Sequence, residues 1–387
     1  KMIGTPAGTR DRLFAECASF RRVQQALTGF WARMGYSELM TPEVEDYDTM
    51  LRSGSPLPQE AMYKLVDRTG RLLVLRPDNT APVARVAATK LQTLPGPQRL
   101  FYNQTVFRCD ELHSGASNAI AQCGVELIGA AGLRADVEMV ALAVRTLETA
   151  GLGEFRIELG HEGFFSALLA QLPAEEALRQ QLRGYVEAKN FAAYADLLAP
   201  WRGTPEGEAL AGLSRLFGGP EVLSQARTLC GLPEAVAALD HLAALYGALA
   251  SAGLGARVQF DLSMVQPLDY YTGVVFRGFA RGAAAQVLSG GRYDALVGRD
   301  GKPRPACGFA VDVEGLADCL PEAEPPRLHR LVWYAEGCLG AALAAVARGG
   351  AVLAASDTAA AAADEARALG LTELLCVDET GEREVTL

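Results

Sequence analysis

The chain has 387 residues, of which 50% are hydrophobic and 21% charged, and its formal net charge is −10. This length exceeds one ordinary core and predicts two or three domains of a globular protein. No apolar run reaches the ~18 residues of a membrane span, and the N-terminus lacks an apolar signal core, so we expect a cytoplasmic protein. The acidic balance argues against a nucleic-acid partner, because phosphate neutralisation favours a basic surface.

The eight cysteines and four histidines show no zinc-binding spacing. No two cysteines have C-x-x-C spacing, and no histidine cluster lies beside them. We therefore predict no metal site and no cofactor. Most of the cysteines are expected to be small buried hydrophobic side chains.

Hydrophobic periodicity predicts alternating helices and strands over roughly the first 160 residues. The predicted elements are, in chain order, a helix at 10–36, a hairpin at 63–76, a helix at 82–92, strands at 99–108 and 121–129, a helix at 134–150 and a strand at 155–159. Gly35 is the predicted stop of the first helix. Hairpins with intervening helices are typical of an antiparallel sheet with helices packed on it, an α+β fold.

The middle of the chain changes in composition. Residues 165–252 are rich in Ala and Leu, with Gly and Pro between segments, and predict a helical insertion. Strands are then predicted at 256–261, 273–279, 284–289 and 307–313, the last leading into a helix. The stretch 290–294 predicts a turn that opens a short helix.

A proline-containing segment at 321–327 predicts a linker between a domain at 1–320 and a small domain at 328–387. The small domain is expected to alternate strand, helix, strand, helix and strand, an α/β unit. Its predicted elements are 331–334, 338–348, 352–355, 359–369 and 374–377. It holds four Arg, no Lys and nine acidic residues, so it is poorly suited to binding nucleic acid.

Several separate stretches resemble the class II aminoacyl-tRNA synthetases, specifically the histidyl branch. The sharpest is Leu-Asp-Tyr-Tyr-Thr-Gly at 268–273, and the others are 35–45, 75–80, 107–126, 290–294 and 308–310. The resemblance covers residues 4–320. It implies a synthetase-like antiparallel sheet flanked by helices, a homodimer formed through the first motif, and a C-terminal domain similar to a shortened anticodon-binding domain.

The resemblance also implies an ATP site, but most of its arginines are absent here. Synthetases bring two anionic reactants together, so preorganised arginines must stabilise the transition state. Arg108 matches the retained arginine of the second motif. The positions where charge or the family residue is lost are Glu111, Ala116, Asn118, Gln266, Asp312 and Gly315. We therefore predict no catalytic residues and no synthetase activity.

The amino-acid pocket implied by the resemblance is retained. The residues expected to bind histidine are Asp78, Thr80, Arg108, Gln122, Glu126, Tyr270 and Tyr271. By resemblance, Asp78, Thr80 and Gln122 face the α-amino group. Glu126 and Tyr271 face the two ring nitrogens, which a carboxylate and a phenol can both hydrogen-bond. Arg108 is expected at the carboxylate, where Gln266 replaces an arginine.

A histidine pocket beside a broken ATP site is similar to one class in this family, the regulatory subunits of short-form ATP phosphoribosyltransferase. That class implies the short catalytic subunit as partner, histidine as ligand and a homodimer core within a hetero-oligomer. It also implies activation of the first step of histidine biosynthesis, with feedback by histidine. Two alternatives stay open, a divergent histidyl-tRNA synthetase and another synthetase-like tRNA-binding protein. The lost arginines argue against the first, and the acidic charge argues against the second.

Overall fold

The computed structural model describes residues 4–52, 58–109, 117–265, 271–297, 304–324 and 327–387. The chain forms two compact units, Lys1–Glu322 and Ala323–Leu387. Within the described ranges, no helix combines the length and the apolarity needed to cross a membrane.

The larger unit contains α1–α11 and β1–β12, and the smaller unit contains the remaining helices and strands. The helices are α1 (Phe14–Arg33), α2 (Tyr47–Arg52), α3 (Thr80–Thr89), α4 (Leu133–Ala150), α5 (Glu162–Gln171), α6 (Glu176–Glu187), α7 (Phe191–Leu198), α8 (Pro205–Gly212), α9 (Glu221–Leu229), α10 (Pro233–Ser251), α11 (Val313–Asp318), α12 (Leu339–Ala347) and α13 (Ala359–Ala368). The strands are β1 (Ser37–Glu38), β2 (Val44–Asp46), β3 (Lys64–Val66), β4 (Leu72–Leu75), β5 (Gln98–Phe107), β6 (Ala119–Ile128), β7 (Phe155–His161), β8 (Phe217–Gly218), β9 (Val258–Asp261), β10 (Val274–Ala280), β11 (Leu288–Arg292), β12 (Ala306–Asp312), β13 (Arg330–Tyr334), β14 (Ala351–Leu353), β15 (Glu373–Asp378) and β16 (Gly381–Thr386).

The larger unit is built on a mixed sheet in the order β1-β5-β6-β12-β11-β10-β7-β9-β8. Its centre, from β5 to β7, is antiparallel. The pairs β1–β5 and β7–β9 are parallel. Parallel pairing needs a long crossover connection, and a long connection separates the two strands in each pair. A second, smaller sheet has the order β2-β4-β3. The predicted α+β class is confirmed, with two parallel pairs added to the expected antiparallel sheet.

One face of the main sheet is covered by α1 and α4. Because side chains alternate along a strand, Phe101, Val125 and Phe309 point to this face, and all are buried in the main core. Trp31 of α1 donates its ring N–H to Thr146 of α4 at 2.9 Å, which satisfies both polar groups inside the core. The neighbouring residues along each strand, such as Tyr102, Gly124 and Gly308, therefore point to the opposite face.

The helical insertion extends from α5 to α10, close to the predicted 165–252. It also contributes β8, two residues that pair with β9 at the end of the main sheet. A strand this short carries no alternation that periodicity could detect. The prediction of a turn and helix at 290–294 is wrong at its start, because β11 continues through Arg292 and pairs with β12.

The smaller unit has a four-stranded sheet in the order β14-β13-β15-β16. Leu331 packs with Ala362 of α13, whereas the next residue, Val332, packs with Ala342 of α12. The two helices therefore cover opposite faces. The antiparallel strand β16 was not predicted. Its sequence, Gly-Glu-Arg-Glu-Val-Thr, is mostly exposed and lacks an apolar face, as suits an edge strand.

Candidate ligand-binding site

The face of the main sheet opposite α1 and α4, called the site face below, carries the residues predicted to contact histidine. Gln122, Gly124 and Glu126 share this face because they stand two residues apart on β6. Gln122 and Glu126 are thus about 13 Å apart along the strand, at ~3.3 Å per residue. The N-terminus of α3 packs beside β6 and supplies Asp78 and Thr80. A small molecule with two polar ends can be bracketed between these groups.

Glu126 lies at one end of this site and is only 1% exposed. Thr80 Oγ1 donates to Glu126 Oε1 at 2.9 Å, and the Tyr293 hydroxyl donates to Oε2. Burial raises the pKa of Glu126 to about 8, although both hydroxyl hydrogen bonds act in the opposite direction. The carboxyl group is therefore largely protonated at neutral pH. A protonated carboxyl held in this way can donate to, or accept from, a ring nitrogen.

Two tyrosines of this site were missed by the sequence analysis. Tyr293 contacts Glu126 from the end of β11, and the stretch 290–294 had already been singled out by resemblance. Tyr102 lies on β5 opposite Gly124 and is 1% exposed. Burial raises its pKa well above the ordinary range, so it stays a neutral phenol. The alternation of 99–108 was the signal that could have placed Tyr102 on the site face.

Three glycines make room for these side chains. A Cβ at Gly308 would lie 1.9 Å from Glu126 Oε2, and a Cβ at Gly291 would lie 2.6 Å from the Tyr271 ring. At Gly124, a Cβ would meet the Tyr102 hydroxyl at 2.3 Å. Only glycine permits such close approach of a side chain to the strand backbone. The glycines of the third-motif stretches thus act by leaving space for Glu126 and Tyr271.

Tyr271 closes the site from the side of β11. Its ring lies against Gly291, and burial raises the pKa of its phenol, which therefore remains protonated. The structure thus brings Tyr271 to the same face as Glu126, as the resemblance implied for the two ring contacts. Tyr270, the other predicted member of the pair, lies outside the described residues.

The other end of the site is formed by the stretch 77–79 and Gln122. Asp78 is buried and its Oδ1 accepts the Ala81 N–H at 2.8 Å. Asn79 Nδ2 donates to Gln122 Oε1 at 3.2 Å. Arg108 Nε donates to the Pro77 carbonyl at 3.0 Å, which places this cation beside the stretch. The structure therefore brings Asp78, Gln122 and Arg108 to one end of the site, while Thr80 contacts Glu126 at the other.

Arg76 fixes the stretch to the first-motif region. Its guanidinium is 1% exposed and donates to the carbonyls of Thr41, Pro42 and Thr105 at 2.8–2.9 Å. Burial lowers its pKa, while nearby carboxylates oppose that effect. A planar fork of five donors suits this set of backbone acceptors, which lysine could not satisfy.

The described positions at which the resemblance implied a substituted ATP-site residue take part in internal contacts. Asn118 donates its side-chain N–H to the Tyr63 hydroxyl at 2.7 Å and its backbone N–H to the Gly8 carbonyl at 2.7 Å. Asp312 caps α11 by accepting the Glu314 N–H at 3.1 Å, and burial raises its pKa. Gly315 lies in the first turn of α11. The other substituted positions, Glu111, Ala116 and Gln266, lie outside the described residues.

Two arginines near α11 are committed to a carboxylate. Arg10 and Arg12 both pair with Glu314, Arg10 Nε at 2.9 Å from Oε1. Burial alone would raise the pKa of Glu314, but the two arginines outweigh it and lower the pKa. Both arginines also pair with Glu16, so their two positive charges face two carboxylates of the same chain.

A buried ionic network is centred on Asp136 of α4. Arg292 Nε and Nη2 donate to Asp136 Oδ1 at 2.9 and 2.7 Å, and His241 Nε2 lies 2.7 Å from Asp136 Oδ2. The His241 ring packs edge-on against His161, whose pKa is lowered to about 4 by burial and by His241. The network joins α10 of the insertion to α4 and β11. Its members are far apart in sequence, so no local pattern predicted it.

Sequence and structure comparisons identify relatives of this chain. A family model described as Histidyl-tRNA synthetase matches residues 8–316. The ATP phosphoribosyltransferase regulatory subunit of Clostridium acetobutylicum is 37% identical over 339 residues, which cover 86% of this chain and 83% of that protein. The regulatory subunit of Clostridium kluyveri is 39% identical over 318 residues, or 81% of each protein.

Solved structures agree with these relatives. An ATP phosphoribosyltransferase regulatory subunit/histidyl-tRNA synthetase from Bacillus halodurans aligns with a TM-score of 0.88 and 30% identity, covering 97% of this chain and 98% of that one. A histidyl-tRNA synthetase from Nostoc, 19% identical, shares the fold with a TM-score of 0.79. The chain therefore belongs to the histidyl-tRNA synthetase family. Within that family it belongs to the ATP phosphoribosyltransferase regulatory subunits, which confirms the resemblance found in the sequence.

Proposed function

We propose that this chain binds histidine and transmits its presence to a short-form ATP phosphoribosyltransferase catalytic subunit, without catalysing aminoacylation. In the absence of histidine it activates that subunit, and histidine reverses the activation. The observation that carries the proposal is the enclosure of Glu126 by Thr80 and Tyr293, above the space left by Gly308. A buried carboxyl group held in this way offers a preformed polar contact for a ring nitrogen.

Selectivity for an imidazole ring follows from the two groups at the ring end of the site, Glu126 and Tyr271. Glu126 and Tyr271 are both largely protonated at neutral pH, so each has a hydroxyl that can donate as well as accept. A neutral imidazole has one donor nitrogen and one acceptor nitrogen, and this pair can match either tautomer. A purely apolar ring offers no hydrogen bond to either group, so it gains less than an imidazole does from the same contact. The pocket therefore discriminates against ligands that have the size of histidine but lack its ring nitrogens.

The lack of synthetase activity is supported by the charges at α11. The arginine expected there is replaced by Gly315, and the nearby Arg10 and Arg12 are paired with Glu314. Asp312 adds a carboxyl group at the same turn. Losing one preorganised donor typically costs about 3–4 kcal/mol of transition-state stabilisation. Several such losses leave no useful rate of amino-acid activation.

The chain forms a homodimer through the first-motif surface, within a hetero-oligomer that contains the catalytic subunit. Large apolar side chains at and beside β2 and β3 support this part of the proposal. Met40 is 77% exposed and Val66 is 72% exposed, and Val44 is also exposed. Large apolar side chains left exposed in this small sheet and in the segment before it support a protein–protein interface in this region.

The decisive experiment measures phosphoribosyl-ATP formation by a short-form catalytic subunit, with and without this chain, and then with added histidine. We expect activation by the chain and loss of that activation when histidine is added. Histidine-dependent exchange between ATP and pyrophosphate is measured in parallel and should be absent. No activation of a cognate catalytic subunit would contradict the regulatory function, and pyrophosphate exchange would instead support a divergent synthetase.

Two variants connect the activity to the pocket. Glu126→Leu removes the ring contact at similar side-chain size, so the chain should still activate the catalytic subunit but no longer respond to histidine. Glu138→Gln is the matched control, because Glu138 is paired with Arg99 away from the site. The control should respond to histidine normally. Equal histidine responses in the two variants would show that histidine acts elsewhere.

A further inference from the structure

Asn79 has an unusual environment at the start of α3. It is 1% exposed and stands at the N-cap position, yet its side chain makes no capping hydrogen bond. An N-cap asparagine ordinarily accepts a hydrogen bond from the helix N-terminus. Here Asp78 Oδ1 accepts the Ala81 N–H instead. The Asn79 side chain is therefore not used to cap the helix.

The Asn79 side-chain amide lies beside Gln122 on the site face of the main sheet. Its Nδ2 donates to Gln122 Oε1 at 3.2 Å, which places the amide between α3 and β6. Its Oδ1 is buried and accepts no hydrogen bond from the described part of the chain. A buried carbonyl oxygen without a donor is costly, and native structures rarely retain one without a reason.

The neighbouring residues indicate which donor would satisfy this oxygen. Thr80 is directed to the other end of the site, where it donates to Glu126. Asn79 and Gln122, joined by their hydrogen bond, form the end away from the ring contact. Asp78 lies beside them and close enough to Glu126 and Tyr271 to raise the pKa of each. The acceptors here are the Asn79 Oδ1, the Asp78 carboxylate and Gln122 Oε1, which already accepts from Asn79. The cation at this end, Arg108, directs its Nε to the Pro77 carbonyl and not to Asn79 Oδ1, so the oxygen suits a donor such as a primary ammonium group.

We propose that Asn79 is a ligand-contacting residue whose Oδ1 accepts a hydrogen bond from the α-ammonium group of an imidazole-bearing amino acid. This inference rests on the proposed histidine-binding function and adds to it the feature that selects an amino acid over a deaminated analogue. A ligand without the ammonium group leaves Oδ1 without a donor. Sites built to hydrogen-bond a substrate N–H reject analogues that lack it for this reason.

The test compares two ligands, histidine and imidazolepropionate, by calorimetric titration of the full chain. The wild type should bind histidine more tightly. Asn79→Leu should weaken histidine binding by about tenfold or more, as expected for a lost hydrogen bond to a charged group, and should leave imidazolepropionate binding within about twofold. Asn79→Asp retains an acceptor oxygen and should preserve the preference for histidine. Equal weakening of both ligands by Asn79→Leu would overturn the inference and assign Asn79 a purely structural role.

A second measurement uses the wild type alone, and so does not depend on the folding of a variant. The side-chain amide signals of Asn79 in nitrogen-15 spectra should shift on addition of histidine and stay nearly unchanged with imidazolepropionate. Identical responses to both ligands would overturn the inference while leaving the histidine pocket intact. A wild type that binds neither ligand would overturn the proposed function itself, and the inference with it.

Discussion

Glu126→Gln tests how the raised pKa of Glu126 makes the stability of the larger unit depend on pH. The pKa of Glu126 is raised from 4.5 to about 8, mainly by burial. Between these two values, the unfolded chain has released the proton while the folded chain retains it. The free energy of unfolding must then fall as pH rises, by about 1.4 kcal/mol per pH unit. Across the whole window the loss is on the order of 5 kcal/mol. Glutamine keeps the shape and an acceptor oxygen but does not titrate, so the variant should lose this decline.

Urea unfolding of the ligand-free chain at several pH values from about 5 to about 8 measures this effect. A Trp333→Phe background restricts the fluorescence change to the larger unit, which contains Trp31 and Trp201. Plotted against pH, the unfolding free energy of Glu126→Gln should diverge upward from that of the parent. Parallel profiles would refute the reasoning, because they would mean that Glu126 releases its proton equally in both states.

Glu138→Gln provides a control with the opposite sign. Glu138 accepts hydrogen bonds from Arg99 at 2.7 Å and from the Tyr36 hydroxyl at 2.8 Å, and Arg99 lowers its pKa. Its stabilisation is therefore present above the unfolded pKa and is lost as pH falls through the folded pKa. The side chain is 32% exposed, so solvent screening leaves only a modest effect. This variant should be slightly less stable than the parent at neutral pH.

Three further substitutions test the packing around the site. Gly308→Ala would place a Cβ 1.9 Å from Glu126 Oε2, so histidine binding should be lost in calorimetry and the melting temperature should fall. Asp136→Asn removes the buried carboxylate that pairs with Arg292 and leaves only the half-exposed Asp294 as its charge partner, so the unfolding free energy should fall by about 3 kcal/mol in urea titrations. Thr80→Val removes one donor to Glu126, so the decline in stability should extend to higher pH than in the parent.

The central strands and helices were predictable because their local patterns agree with their tertiary roles. The alternation in β5 and β6 and the apolar spacing in α4 each match the face that is buried. The elements that were missed lack such a pattern. β8 has two residues, and β16 is a charged edge strand stabilised by pairing with β15. At 290–294 the glycines suggested a turn, but glycine is present there because Tyr271 and the backbone of β12 approach closely.

The candidate site was predictable as a set of residues but not as a set of contacts. Asp78, Gln122, Glu126 and Tyr271 came from the resemblance, and the structure brings all of them to one face of the sheet. The partner of Glu126 Oε2 could not be predicted, because Tyr293 is 167 residues away in sequence. Only the antiparallel register of β6, β12 and β11 brings the two together. Long-range register of this kind depends on every intervening strand.

Under the proposed function, the geometry accounts for a pocket that binds a ring without an active ATP site. Glu126 is positioned by α3, β11 and β12, through Thr80, Tyr293 and the space above Gly308. None of these contacts involves the first turn of α11, where Gly315 stands in place of an arginine. Charge can therefore be removed at α11 without disturbing the ring contact. A retained pocket can still act on a partner, because a ligand shifts any equilibrium between two states for which its affinities differ. Coupling between binding events must also be reciprocal: if histidine changes the affinity of this chain for the catalytic subunit, the catalytic subunit changes the affinity of the pocket for histidine by the same factor.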